Sequence, residues 1–151
     1  MMAHLTFEIG SGIALLGWLF LVLGIFISST RIRYGVLLFG GRIIPLVLSG
    51  LYLFLVFRFW GSSPEGNFSS LIGVSKLFES EGNLAAGWLH FLIFDLFVGR
   101  WMIDEVTRAN LPKWRLIPCL PLTFLYGPTG LIVFFTFRLF DEREKHALVA
   151  S

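Results

Sequence analysis

The sequence predicts an all-α, polytopic membrane protein: an antiparallel four-helix transmembrane bundle with a kinked or broken fourth helix. Three observations lead there. Apolar runs long enough to cross a bilayer recur four times within 151 residues. Hydrophobic residues make up 56% of the chain and Phe alone occurs 17 times, more apolar surface than a water-soluble domain of this length can hide. Basic residues gather in particular loops instead of spreading evenly. The chain reads as one transmembrane domain, residues 1–151, with spans near 7–28, 43–60, 83–103 and 116–137.

The first span is carried by residues 9–30, which hold no charge. They reach about 33 Å as a helix, enough to cross. Gly10, Ala14, Gly17 and Gly24 fall on one face and let a neighbouring backbone come close. The run has no basic region before it and exceeds a signal-peptide core, so it reads as an uncleaved span with no plastid transit peptide. Arg31, Arg33 and Arg42 bound the first loop and mark it as cytoplasmic. The second span starts near Ile43, with Pro45 in its first turn and Arg58 in its last.

The loop from Gly61 to Gly82 holds Glu65, Glu79 and Glu81 against Lys76, which suits the opposite side. Within it Phe68, Leu71, Ile72 and Phe78 have helical spacing and fit a short helix, either on the membrane surface or covering the bundle end. Asn83 is the expected N-cap of the third span, which exits near Trp101 or Ile103. Arg100, Arg108, Lys113 and Arg115 make the next loop cytoplasmic. The fourth span lacks charge but carries Pro118, Pro121, Gly127, Pro128 and Gly130, so a break near Tyr126–Gly130 is expected. The tail from Asp141 is charged and expected to be loose. Four crossings place both termini outside, although Arg138, Arg143 and Lys145 on the tail oppose that orientation.

A net charge of +2 gives no electrostatic support for a nucleic-acid partner. The lone Cys119 has no internal disulfide partner. No phosphate-cradling Gly loop, nucleophile elbow, C-x-x-C pair or set of metal ligands is present. The chemistry-bearing groups are His90, Asp95 and Arg100 on the third span. A carboxyl near mid-membrane costs at least about 2.5 kcal/mol, so Asp95 must face the bundle, pair, or keep its proton. It is either a proton donor or acceptor, or a structural carboxyl joining helices. His90 lies five residues earlier, about 140° around the helix, so the two form no same-face dyad. It reads equally as a proton shuttle and as an interhelical histidine. Asp95 shares its face with Trp88, Leu92, Gly99 and Met102. Arg100, Asp104 and Arg108 form an i,i+4 ladder, or anchor an anionic headgroup.

The run from Gly73 to Glu81, followed by Asn83-Leu-Ala-Ala-Gly-Trp88-Leu-His90-Phe-Leu-Ile-Phe-Asp95-Leu-Phe-Val-Gly-Arg100, resembles the abscisic-acid-deficient-four-like membrane family. The segment Pro118-Cys-Leu-Pro-Leu-Thr-Phe-Leu-Tyr-Gly-Pro128-Thr-Gly-Leu is similar to that family's closing motif. The resemblance runs from about Arg31 to Arg138; the first helix departs from it, with Leu16-Gly17-Trp18 where the family has a proline. In plants the family is linked to neoxanthin formation from violaxanthin, an epoxide-to-allene isomerisation. The resemblance implies a membrane protein that binds or isomerises a carotenoid- or isoprenoid-like lipid, with no redox cofactor. It implies Asp95 as acid and His90 as base, with Trp88, Arg100, Thr123 and Tyr126 as ligand- or lipid-binding residues. The missing transit peptide makes a bacterial inner-membrane homologue the expectation, with membrane lipid as partner and homo-oligomers open. Two other readings stand beside it: a non-enzymatic assembly or accessory protein, and a small proton-coupled carrier.

Overall fold

The computed structural model describes the backbone of residues 1–149 and the side chains of residues 1–140. The described residues are mostly helical, without strands, and fall into two compact units, Met1–Phe97 and Val98 onward. Three helical runs are long and apolar enough to cross a membrane: Met2–Phe26, Thr30–Ser62 and Glu81–Arg108.

In the first unit, α1 (Met2–Phe26) buries Ala3, Thr6, Gly10, Ala14, Gly17, Leu21 and Gly24, the small-residue face expected from the spacing. A side chain added at Gly10 would meet Leu89; one at Gly17 would meet Ile44 and Leu96 at 3.0–3.1 Å. Lipid gives helices no hydrophobic drive to associate, so contact area must come from close approach. The glycines supply it.

The first basic loop is not a loop. α2 (Thr30–Leu38) begins almost at once and is continuous with α3 (Ile44–Phe59) through a π turn, Phe39–Ile43. Arg33 therefore sits on a helix, where its Nε donates to the Gly24 carbonyl at 3.2 Å. The π turn has two local causes. Pro45 has no N–H, and its ring would press on the carbonyl four residues back in a tight α turn. Gly40 also lies against α1, where a methyl group would meet Phe20 Cβ at 2.7 Å and the Gly17 carbonyl oxygen at 2.8 Å. The helix ends in a 3₁₀ turn, Trp60–Ser62.

The following segment holds α4 (Leu71–Phe78), capped by Ser70, whose Oγ accepts from Gly73 N at 3.0 Å. Leu77 is buried, whereas Leu71 and Ile72 are 87% and 74% exposed. α5 (Glu81–Arg108) starts two residues earlier than expected and runs past Trp101. Asn83 is not its cap: the side chain is buried and its Nδ2 donates to the Leu77 carbonyl at 3.1 Å, tying α4 to α5. Ser80 instead gives its carbonyl to Leu84 N at 2.9 Å.

In the second unit, α5 ends at a turn in which Asn110 takes a left-handed φ of 50°. After a 3₁₀ turn, Lys113–Arg115, the expected fourth span appears as two helices, α6 (Leu116–Tyr126) and α7 (Pro128–Val149). The break at Gly127, with φ 45°, is a reversal of direction. Near it, a methyl on Gly130 would meet Thr123 N at 2.6 Å and the Cys119 carbonyl at 2.7 Å. At the open end, Trp114 stacks edge-on to Phe137, with ring centroids 5.6 Å apart. α6 and α7 are thus an antiparallel hairpin in place of a single broken span. α7 also continues as helix to Val149, where a loose tail is expected from Asp141; the last two residues lie outside the described residues.

Gly40→Ala and Gly130→Ala each push a methyl into backbone and should destabilise the detergent-solubilised protein by about 1–3 kcal/mol. Gly12→Ala, with nothing within 4 Å, is the matched control and should leave the thermal midpoint in place. Thermal unfolding of the three variants checks this.

Candidate functional site

α5 carries the polar groups, and helical geometry sends them to different faces. Trp88 faces α1: its Nε1 donates to Ser11 Oγ at 3.1 Å, and its ring lies 5.8 Å from that of Phe7. A cavity of about 420 Å³ opens beside it, lined by Ala3, His4, Phe7, Glu81, Leu84 and Ala85. Its polar edge is an exposed His4–Glu81 contact at 3.7 Å.

His90 lies two residues on, about 200° around the helix, and faces α3. Its ring sits 5.8 Å from Tyr52 and 4.6 Å from Phe94. His90 and Tyr52 border a second cavity of about 250 Å³. Tyr52, Val56 and Trp60 form one wall, Leu77 and Phe78 of α4 another, and Asn83, Gly87 and His90 of α5 the floor. Phe78 lies directly over Gly87, where a methyl would come within 2.6 Å of its ring. The cavity is smaller than a drug-sized site. It admits one ring or one polar end of a longer apolar molecule. Apolar walls with a few convergent polar groups are the usual make-up of a ligand site, and here those groups are His90, Tyr52 and Asn83.

Asp95 does not line this cavity. It is 7% exposed, and its Oδ2 is buried without a hydrogen-bond partner among the described residues. The five-residue spacing keeps it off the His90 face. Arg100 is committed to Asp104, Nε to Oδ2 at 2.9 Å. The next rung of the expected ladder differs, because Arg108 pairs with Glu105 at 3.0 Å. Thr123 is fully buried; its Oγ1 donates to the Cys119 carbonyl at 2.9 Å and lies 3.7 Å from Met102 Sδ. Tyr126, at the hairpin tip, is exposed. Among the described residues no group of three or more His, Cys, Asp or Glu side chains could hold a metal ion.

Tyr52 and Asn83 are the cavity groups that sequence reasoning missed. Tyr52 stands in an apolar run, and no spacing rule pairs it with His90. Asn83 carried a cap signal that concealed its inward position.

The geometry defines the class: an all-helical protein, apolar enough for membrane, with a histidine–tyrosine cavity between its second and third long helical runs. Comparison with known families goes one step further. The ABA DEFICIENT 4-like family model matches residues 5–134, and the chain belongs to that family. Protein ABA DEFICIENT 4, chloroplastic, of Arabidopsis thaliana is 30% identical over 102 residues, 61% of this chain and 44% of that protein. The chain therefore spans less than half the length of this relative. No solved structure matches.

A buried carboxyl oxygen without a partner costs about 1–3 kcal/mol. Asp95→Leu should therefore leave the thermal midpoint unchanged or raise it by a few degrees. A fall of more than about 4 °C, the size expected for losing about 1 kcal/mol or more, would reveal a bonding partner for the carboxyl.

Proposed function

We propose that the chain binds the polar end of a carotenoid- or isoprenoid-like membrane lipid in the His90 cavity and isomerises it by acid–base chemistry. The single observation behind this reading is the cavity that sets His90 and Tyr52 side by side against aromatic walls. Family membership supports the substrate class, since the plant family is linked to neoxanthin formation.

The reaction would be an epoxide-to-allene isomerisation. His90 takes a proton from the polyene carbon next to the ring, and the released electron pair forms the second double bond of the allene. The epoxide C–O bond breaks, and its oxygen takes a proton from Tyr52. One proton leaves and one arrives, so no oxidant or reductant is consumed. An imidazole and a phenol are suitable classes of group for this transfer. Tyr52 takes the donor role that the resemblance assigns to Asp95, because Asp95 is absent from the cavity lining. Trp88, Arg100, Thr123 and Tyr126 then serve packing and lipid contact more than chemistry.

A second reading is a non-enzymatic assembly role. It is favoured by the exposed apolar side of α4, which a protein partner could cover as well as lipid.

The test is conversion of an epoxide-ended carotenoid by purified protein in lipid nanodiscs. His90→Gln and Tyr52→Phe should each lower the rate by about 10²-fold or more. Asp95→Asn should change it far less. Wild-type rates in both cavity variants, with folding intact, would sink the catalytic reading and leave the assembly role.

A further inference from the structure

We infer that the α6–α7 hairpin is re-entrant: it enters the bilayer and leaves through the same face, so the chain crosses three times and its ends lie on opposite sides. The surface concerned is the outside of this hairpin, and its partner is the lipid of one leaflet.

Length comes first. α6 has 11 residues and reaches about 16 Å. The apolar part of α7, Pro128–Phe140, reaches about 20 Å. Neither crosses a hydrocarbon core of about 30 Å, and apolar helices this short are more often re-entrant or buried. Direction comes second. The Trp114–Phe137 stack and the seat of the Arg115 guanidinium 6.0 Å from the Phe137 ring return the chain to the level at which it started.

The tip is also built for a place where water is scarce. Irregular backbone at membrane depth must have its polar groups satisfied. Gly127 N donates to the Thr123 carbonyl at 2.9 Å, and Gly130 N to the Gly127 carbonyl at 3.1 Å. Pro128 between them has no N–H to satisfy. The Thr123 hydroxyl is turned back onto the Cys119 carbonyl.

Charge agrees independently. In the first unit, the start of α1 and the start of α5 lie together, as the His4–Glu81 contact shows, on the end that also carries Glu65 and Glu79. Arg31 and Arg33 lie at the other end of α1, where Arg33 reaches Gly24. A fourth crossing would strand Arg138, Arg143 and Lys145 on the acidic face. A re-entrant hairpin returns them to the face of Lys113 and Arg115, as the cytoplasmic preference of basic residues requires. The objection that Arg138, Arg143 and Lys145 raise against two external termini is removed, because the C-terminus is then internal.

The test uses full-length protein carrying Cys119→Ser, expressed in a bacterial membrane, with single added cysteines read by a membrane-impermeant maleimide in right-side-out and inverted vesicles. His4→Cys and Ser69→Cys should label from one face, and Lys113→Cys and Lys145→Cys from the other. Tyr126→Cys should resist labelling from both. If Lys145→Cys labels with His4→Cys, the hairpin crosses and the inference fails. If Tyr126→Cys labels as fast as Lys113→Cys, the hairpin lies outside the hydrocarbon and the inference fails as well. A reporter domain fused after Ser151 of the unaltered chain gives the side of the C-terminus without any substitution: an internal reporter upholds three crossings and an external one overturns them.

Discussion

The first unit depends on one close approach, the contact of the α1 glycine face with the helices around it. Gly10 meets Leu89, Gly17 meets Leu96 and Ile44, and Gly24 meets Leu37. Each leucine or isoleucine fills the space where a larger residue on α1 would stand. Gly40 returns the favour, lying over the Gly17 carbonyl. In a soluble protein, expulsion of water would drive such packing. Between helices in lipid, dispersion over a matched surface has to do most of it. That is why the buried glycines of α1, Gly10, Gly17 and Gly24, keep to one stripe, and why its other sides present Leu15, Leu19 and Leu23 outward.

From that packing the polar residues of α5 acquire separate surroundings. Trp88 is tied to α1 through Ser11, His90 looks across to Tyr52, and Asp95 is buried off both faces. A single helix thus presents three chemistries to three environments, because its neighbours differ on each side. The cavity beside His90 exists because α4 is folded over it. Asn83 fastens α4 by its Leu77 carbonyl, and Gly87 leaves room for the Phe78 ring. The short helix is therefore part of the site as well as a surface element.

Much of this was legible in the residues. The α1 stripe could be read because its period matches a helix, and the break after Tyr126 because Gly-Pro-Thr-Gly cannot continue one. The helix Leu71–Phe78 showed in the spacing of Phe68, Leu71, Ile72 and Phe78, although Phe68 itself lies ahead of it. Other features resisted. Arg31 to Arg42 looked like a loop because three basic residues and no acidic ones bound it, yet the stretch is helical and its Gly40 serves a helix crossing. The direction taken after Gly127 depends on a single positive φ, which the glycine permits but does not announce. His90 was found as an ionisable group in an apolar run. Tyr52 was not, since its meeting with His90 depends on the relative rotation of α3 and α5, and local sequence does not state that.

The π turn at Phe39–Ile43 sets that rotation. Relative to uninterrupted α-helix, such a turn adds one residue and advances the phase of everything after it by about 100°. With an ordinary turn there, the tyrosine would arrive on another meridian of its helix and the imidazole would confront aliphatic carbon. A widening that begins as relief for a proline and a tight crossing thus acts at a distance as the angular setting of the chemistry two turns further on.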